Sequence, residues 1–235
     1  MTLTEKFENY FNRNDVLVGK VVDFEEFEDE LYPFDFTANN TDLNAELVAD
    51  TDLFSAWVRQ KLSSAHCRYG IGGYNEHRTI YARSARFDGT EEPRRLHLGV
   101  DIWGPAGTPV YNFHEAEVHS FKFNNFFGDY GATVILKYLL DDLAVYGLYG
   151  HLSLKSLEGL EEGKLIRKGE LFAWFGAPEE NGHWPPHLHF QLMFSMKGLK
   201  GDYPGVCRFS EREPYLTNSP DPGFILKHTF KSKQI

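Results

Sequence analysis

The sequence predicts an α+β protein: a predominantly antiparallel β-sheet core preceded by a mainly helical N-terminal appendage. Three observations carry this expectation. From about Arg68 onward, short β-prone runs alternate with Gly, Asn, Asp and Pro. These runs follow one another too closely for intervening helices, so neighbouring strands should be antiparallel. The residues before them hold helix formers with N-cap signals instead. The division expected is a helical segment over residues 1–65, a β-rich domain over 66–195 and an irregular tail over 196–235, packed on the domain.

In chain order, residues from Thr2 to about Asn14 mix charged and aromatic side chains and suit a short helix. Phe24 to Phe36 is acidic and aromatic, ending in Tyr32-Pro33-Phe34. Thr41 or Asp42 offers an N-cap to the helix formers that follow. A second helix is expected from Asp52 to about Leu62, with Leu53, Phe54, Trp57, Val58 and Leu62 near one face. Candidate strands are Thr108–Asn112, Ala116–Phe123, Ala132–Tyr138, Leu143–Leu152, Leu165–Arg167, Leu171–Phe175 and His187–Phe194. Asp141-Asp142 sits between two of them as a hairpin turn would.

Composition narrows the function classes. The 235 residues are 42% hydrophobic and 25% charged, ordinary values for a globular protein. A formal net charge of -10 argues against nucleic acid, whose phosphates call for a basic surface. No stretch approaches transmembrane length, so no membrane partner is expected. Met1 to Tyr10 lacks an apolar signal-peptide core; if this is the natural start, the protein is expected in the cytoplasm. Cys67 and Cys207 form neither a disulfide framework nor a thiolate metal cluster and are expected as free thiols.

Four of the ten histidines stand in contexts that point to one site: Leu96-His97-Leu98-Gly99-Val100-Asp101, Tyr149-Gly150-His151-Leu152-Ser153 and Pro186-His187-Leu188-His189-Phe190. On a strand, His187 and His189 share a face roughly 6–7 Å apart. Both could ligate one metal, or one could ligate while the other reaches a metal-bound water. His97 and Asp101 offer a nitrogen and an oxygen that zinc accepts. Each cluster alone is commonplace; three such clusters in one β-rich chain are not. The chain has no His-Glu-x-x-His, which excludes a thermolysin-type arrangement.

Together the His-x-x-x-Asp, Tyr-Gly-His-Leu-Ser and Pro-His-Leu-His-Phe motifs resemble the lysostaphin-like zinc metallopeptidases. Pro105 to Val110 and the Glu162–Glu170 stretch with Phe175-Gly176 match the same family, and the likeness runs from about Leu96 to Leu192. The resemblance implies one Zn²⁺ per chain held by His97, Asp101 and His189. It implies that His151 and His187 lie beside the metal without binding it and handle protons and transition-state charge. The function it implies is hydrolysis of a peptide or small amide by metal-activated water. A metal-binding interaction module that no longer turns over is the alternative. The chain departs from the family at Asn181-Gly182-His183-Trp184-Pro185-Pro186, bulkier than the usual approach to the last motif, which puts the usual substrate in doubt. His183 is read as a surface or packing residue rather than one touching substrate, and His66, His77, His114, His119 and His228 as structural.

Overall fold

The computed structural model describes residues 1–13, 16–25, 29–84, 87 and 92–230. Helix α1 (Leu3–Phe11) opens with a capping box in which Thr2 and Glu5 satisfy each other's backbone N–H groups. The expected end near Asn14 lies outside the described residues, as does part of the acidic run that follows Phe24. Strand β1 (Leu31–Phe34) comes next, then α2 (Ala45–Ala49) and α3 (Thr51–Ser64). The α2 cap is Asn44 rather than Thr41 or Asp42, because its side chain accepts from Leu47 N at 2.8 Å. In α3 the buried face is Phe54, Ser55, Val58 and Leu62. Leu53 is 48% exposed, since one residue back rotates a side chain about 100° off the 54–58–62 stripe.

Strands β2 (Tyr69–Gly72), β3 (Arg94–His97), β4 (Val100–Trp103) and β5 (Pro109–Tyr111) lead into the long β6 (Ala116–Asn124), β7 (Gly131–Leu140) and β8 (Leu143–Leu152). Then follow β9 (Leu165–Ile166), β10 (Leu171–Trp174), β11 (His187–Met193) and β12 (Val206–Arg208), and finally α4 (Arg212–Asn218) and α5 (Gly223–Thr229). The principal sheet has the order β1-β2-β4-β11-β8-β7-β6-β9; β5 pairs with β10, and β3 with β12. Every pair is antiparallel except β1 with β2. That parallel pair is possible because α2 and α3 supply the long crossover such strands need. The first 65 residues therefore contribute an edge strand to the sheet as well as helices. The tail after Met196 is more regular than expected, holding β12, α4 and α5.

Asp141 takes φ 54° in the turn joining β7 to β8, as expected of the Asp141-Asp142 pair. Alternation on β4 and β11 sends Val100, Ile102, Leu188, Phe190 and Leu192 into one apolar core, which Tyr149 and Leu152 of β8 join. The opposite face meets an aromatic cluster of Phe34, Phe36, Phe54, Tyr81, Trp103 and Trp184. Cys67 and Cys207 are both free thiols. No described helix is long and apolar enough to cross a membrane.

Candidate active site

The site is built on three adjacent strands. β11 lies between β4 and β8, with His189 opposite both Asp101 and Gly150, and His187 opposite Trp103. Period two on β11 then puts His187, His189 and Gln191 on one face while Leu188, Phe190 and Leu192 fill the core. On β4 the same rule brings Asp101 and Trp103 to that face. His97 ends β3, and Gly99 lets His189 approach: a Cβ at Gly99 would stand 2.7 Å from the His189 ring.

His151 reaches the site by a different device. The β7–β8 register steps from Ala132↔Leu152 to Val134↔Tyr149, which leaves one extra residue on β8. The bulge contains His151 at φ 60°, a left-handed conformation uncommon for a residue with a side chain. Without it, alternation would turn the imidazole toward the core.

His97 Nε2 lies 3.0 Å from His189 Nδ1 and 3.2 Å from Asp101 Oδ1, and His189 Nδ1 is 3.0 Å from Asp101 Oδ1. The remaining nitrogens settle where the protons are. His97 Nδ1 is 2.9 Å from the Gly73 carbonyl, which can only accept, so Nδ1 carries the hydrogen. His189 Nε2 is 3.0 Å from Gln191 Oε1, and Gln191 Nε2 donates to the Pro204 carbonyl at 3.2 Å, which makes Oε1 the accepting end. Three electron-rich atoms thus face one another in a buried place. Four-coordinate zinc at about 2.0–2.1 Å spaces its ligand atoms about 3.3 Å apart, close to these separations. His97, Asp101 and His189 could hold one metal ion, and each imidazole has the outer partner that orients a metal-binding ring.

Electrostatics agree. Burial pushes the His97 imidazolium down to about 4, so the ring is neutral at neutral pH. Burial opposes ionisation of Asp101 as well, but the Arg78 guanidinium bonded to it outweighs that and holds the carboxyl well below its usual range.

His151 and His187 stack beside this set, their ring centroids 4.1 Å apart. Each donates Nδ1–H to a backbone carbonyl at 2.7 Å, His151 to Asn181 and His187 to Pro185. Both Nε2 atoms therefore carry a lone pair. Burial lowers His187 to about 4 and His151 well below its ordinary value. Trp103 stacks on His187 at 4.0 Å and 13°, fixing the ring plane.

The divergent Asn181–Pro186 segment supplies both of those carbonyls. Asn181 is fully buried; its side chain bonds Gly176 O, Trp184 O and Trp184 N. His183 stacks on Phe127 outside the cavity, a packing role. His66, His77, His114, His119 and His228 also lie away from the cavity. Sequence reasoning missed Arg78, Trp103 and Gln191. Gln191 was within reach, two residues beyond His189 on one strand face, whereas nothing local points to Arg78.

A buried His–Asp–His acceptor set beside two neutral, carbonyl-anchored histidines defines the site of a metal-dependent hydrolase. Residues 95–200, somewhat under half of the chain, match Peptidase family M23, and over this segment the chain resembles a metallopeptidase of that family. No curated protein matches the chain. Among solved structures, the catalytic domain of lysostaphin from Staphylococcus simulans is 23% identical; the match covers 74% of this chain and 97% of that one at a TM-score of 0.43. A second structure, of the antimicrobial peptidase lysostaphin from the same organism, is 23% identical over 59% and 47% of the two chains, TM-score 0.37. A zinc-containing peptidase from Vibrio cholerae is 26% identical over 42% of this chain, TM-score 0.33, and the match spans 27% of its length.

Proposed function

We propose that this protein hydrolyses a peptide or amide bond, with His97, Asp101 and His189 holding one Zn²⁺ and His151 and His187 carrying protons. The observation behind this reading is the convergence of His97 Nε2, Asp101 Oδ1 and His189 Nδ1 at 3.0–3.2 Å with no proton between them. Bound there, zinc supplies a Lewis acid with an open position, which acidifies water and polarises a carbonyl. The two free Nε2 atoms of His151 and His187 accept a proton from water and return one to the leaving nitrogen. Their carbonyl anchors keep the Nδ1–H tautomer in place, so either ring begins the cycle as a base. A neutral pair so arranged favours hydrolysis over a metal-binding module without turnover.

Trp103 and Trp184 line the cavity beside His187. Pro185 and Pro186 stiffen the backbone between Trp184 and His187, because proline fixes its own φ and restricts its neighbour. A stiff approach of this kind favours a short, mobile peptide or amide over a cross-linked polymer. The test is to assay purified, zinc-loaded protein on soluble peptides, small amides and intact murein sacculi, and to fractionate the cells that make it. Turnover of soluble substrates alone is the expected result. Envelope location with efficient release of peptide cross-links would overturn the short-substrate reading.

A further inference from the structure

Arg78 lies outside the segment that matches the peptidase family, yet its guanidinium is wholly buried against the Asp101 carboxylate. It arrives there on an extended run that pairs with β3: Arg78 N donates to Arg95 O, His97 N to Glu76 O and Asn75 N to His97 O, each at 2.9 Å. The fork then uses nearly all its donors locally. Nη1 bonds Asp101 Oδ2 and lies 3.4 Å from the Tyr81 hydroxyl; Nε reaches Glu76 Oε2 at 2.6 Å and Nη2 the Gly73 carbonyl at 3.3 Å. The Phe36 ring covers the group at 5.1 Å. Gly73 O is the same carbonyl that accepts from His97 Nδ1, so one short run braces two of the three facing groups.

We propose that Arg78 is the positioning residue of the metal centre, holding Asp101 by Oδ2 so that Oδ1 alone is presented beside His97 and His189. This rests on the reading of Asp101 as a metal ligand. A carboxylate has two equivalent oxygens and rotates freely unless one is tied; an arginine fork ties it directionally, where a lysine ammonium is a point charge. Charge bookkeeping explains why a cation is tolerated so near a cation site. Glu76 balances Arg78, which leaves the Asp101 charge for the metal. A buried guanidinium without Glu76 would repel the ion instead.

The test compares unaltered protein with Arg78→Lys and Glu76→Gln, measuring Zn²⁺ affinity by chelator competition and the visible spectrum of the Co²⁺-loaded form. Arg78→Lys should bind Zn²⁺ about 10–100-fold more weakly despite keeping its charge, the usual size for loss of an outer partner. Its Co²⁺ bands should weaken as the freed Oδ2 joins the coordination. Glu76→Gln keeps the Arg78–Asp101 contact, so its Co²⁺ spectrum should stay unchanged while affinity falls from the unbalanced charge. Arg78→Gln carries the test if the lysine variant fails to fold. An affinity within twofold and an unchanged spectrum in the folded variant overturn the proposal. Failure of the unaltered protein to bind zinc would overturn the proposed function itself, a separate outcome.

Discussion

His189 is held from both sides: Nε2 donates to Gln191 while Nδ1 faces Asp101 and His97. Its replacement removes one of three facing atoms and leaves two, too few for tight zinc binding. His189→Ala should therefore lose stoichiometric zinc, measured by elemental analysis after dialysis. His151 and His187 face the same space through nitrogens that are outside the acceptor set. Their alanine variants should retain zinc and lose about 10²-fold or more in turnover, the common size for a positioned acid or base. Metal content falling in step with activity in either variant would make that residue a ligand. That these five residues meet in one place was expected from motif order and flanks. Their tautomers were not: the Gly73 and Asn181 carbonyls that fix His97 and His151 belong to other segments, and the Pro185 carbonyl meets His187 only through the folded turn before it.

The elements that place these residues differ in how much of their geometry is local. β11 needed only alternation, and its sequence shows it. The β8 bulge at His151 is invisible in a run that reads as a plain strand, since an extra residue appears only against the partner register. The Asn181–Pro186 turn is intermediate: Gly182 takes φ 83°, and a Cβ there would stand 1.9 Å from Asp129 O, so glycine is required. Asn181→Ala removes three hydrogen bonds from a buried side chain and leaves Trp184 N unpaired. The cost should be about 1–3 kcal/mol in denaturant melts. Turnover should fall with zinc retained, because the carbonyl anchoring His151 moves with the turn.

At the scale of the whole molecule, residues before the family match are structural parts of the site. β1 closes one edge of the sheet, and Phe34, Phe36 and Phe54 back Trp103, which backs His187. A fragment beginning at residue 66 would expose that aromatic face and is expected to be insoluble or inactive; soluble, zinc-dependent activity in it would contradict this. Buried neutral histidines also give the metal-free protein a pH signature. His97 and His187 sit at about 4 when folded, against about 6.5 unfolded. The unfolded chain binds more protons between those values, so their stabilising contribution is complete above about 6.5 and is lost as pH falls toward about 4. Apoprotein melts between pH 7 and pH 4.5 should show the decline, and a flat profile would contradict it.

By itself the sequence determined the α+β class, most strands of the long meander, the five polar residues of the site and the chemistry their types allow. Side-chain chemistry and strand period are local properties, readable without knowing what lies opposite. Only the tertiary structure decided that the N-terminal segment pairs into the sheet, that a bulge turns His151 into the site and that Arg78 meets Asp101. Those contacts join residues distant along the chain, and their energy exists only once both partners are buried together.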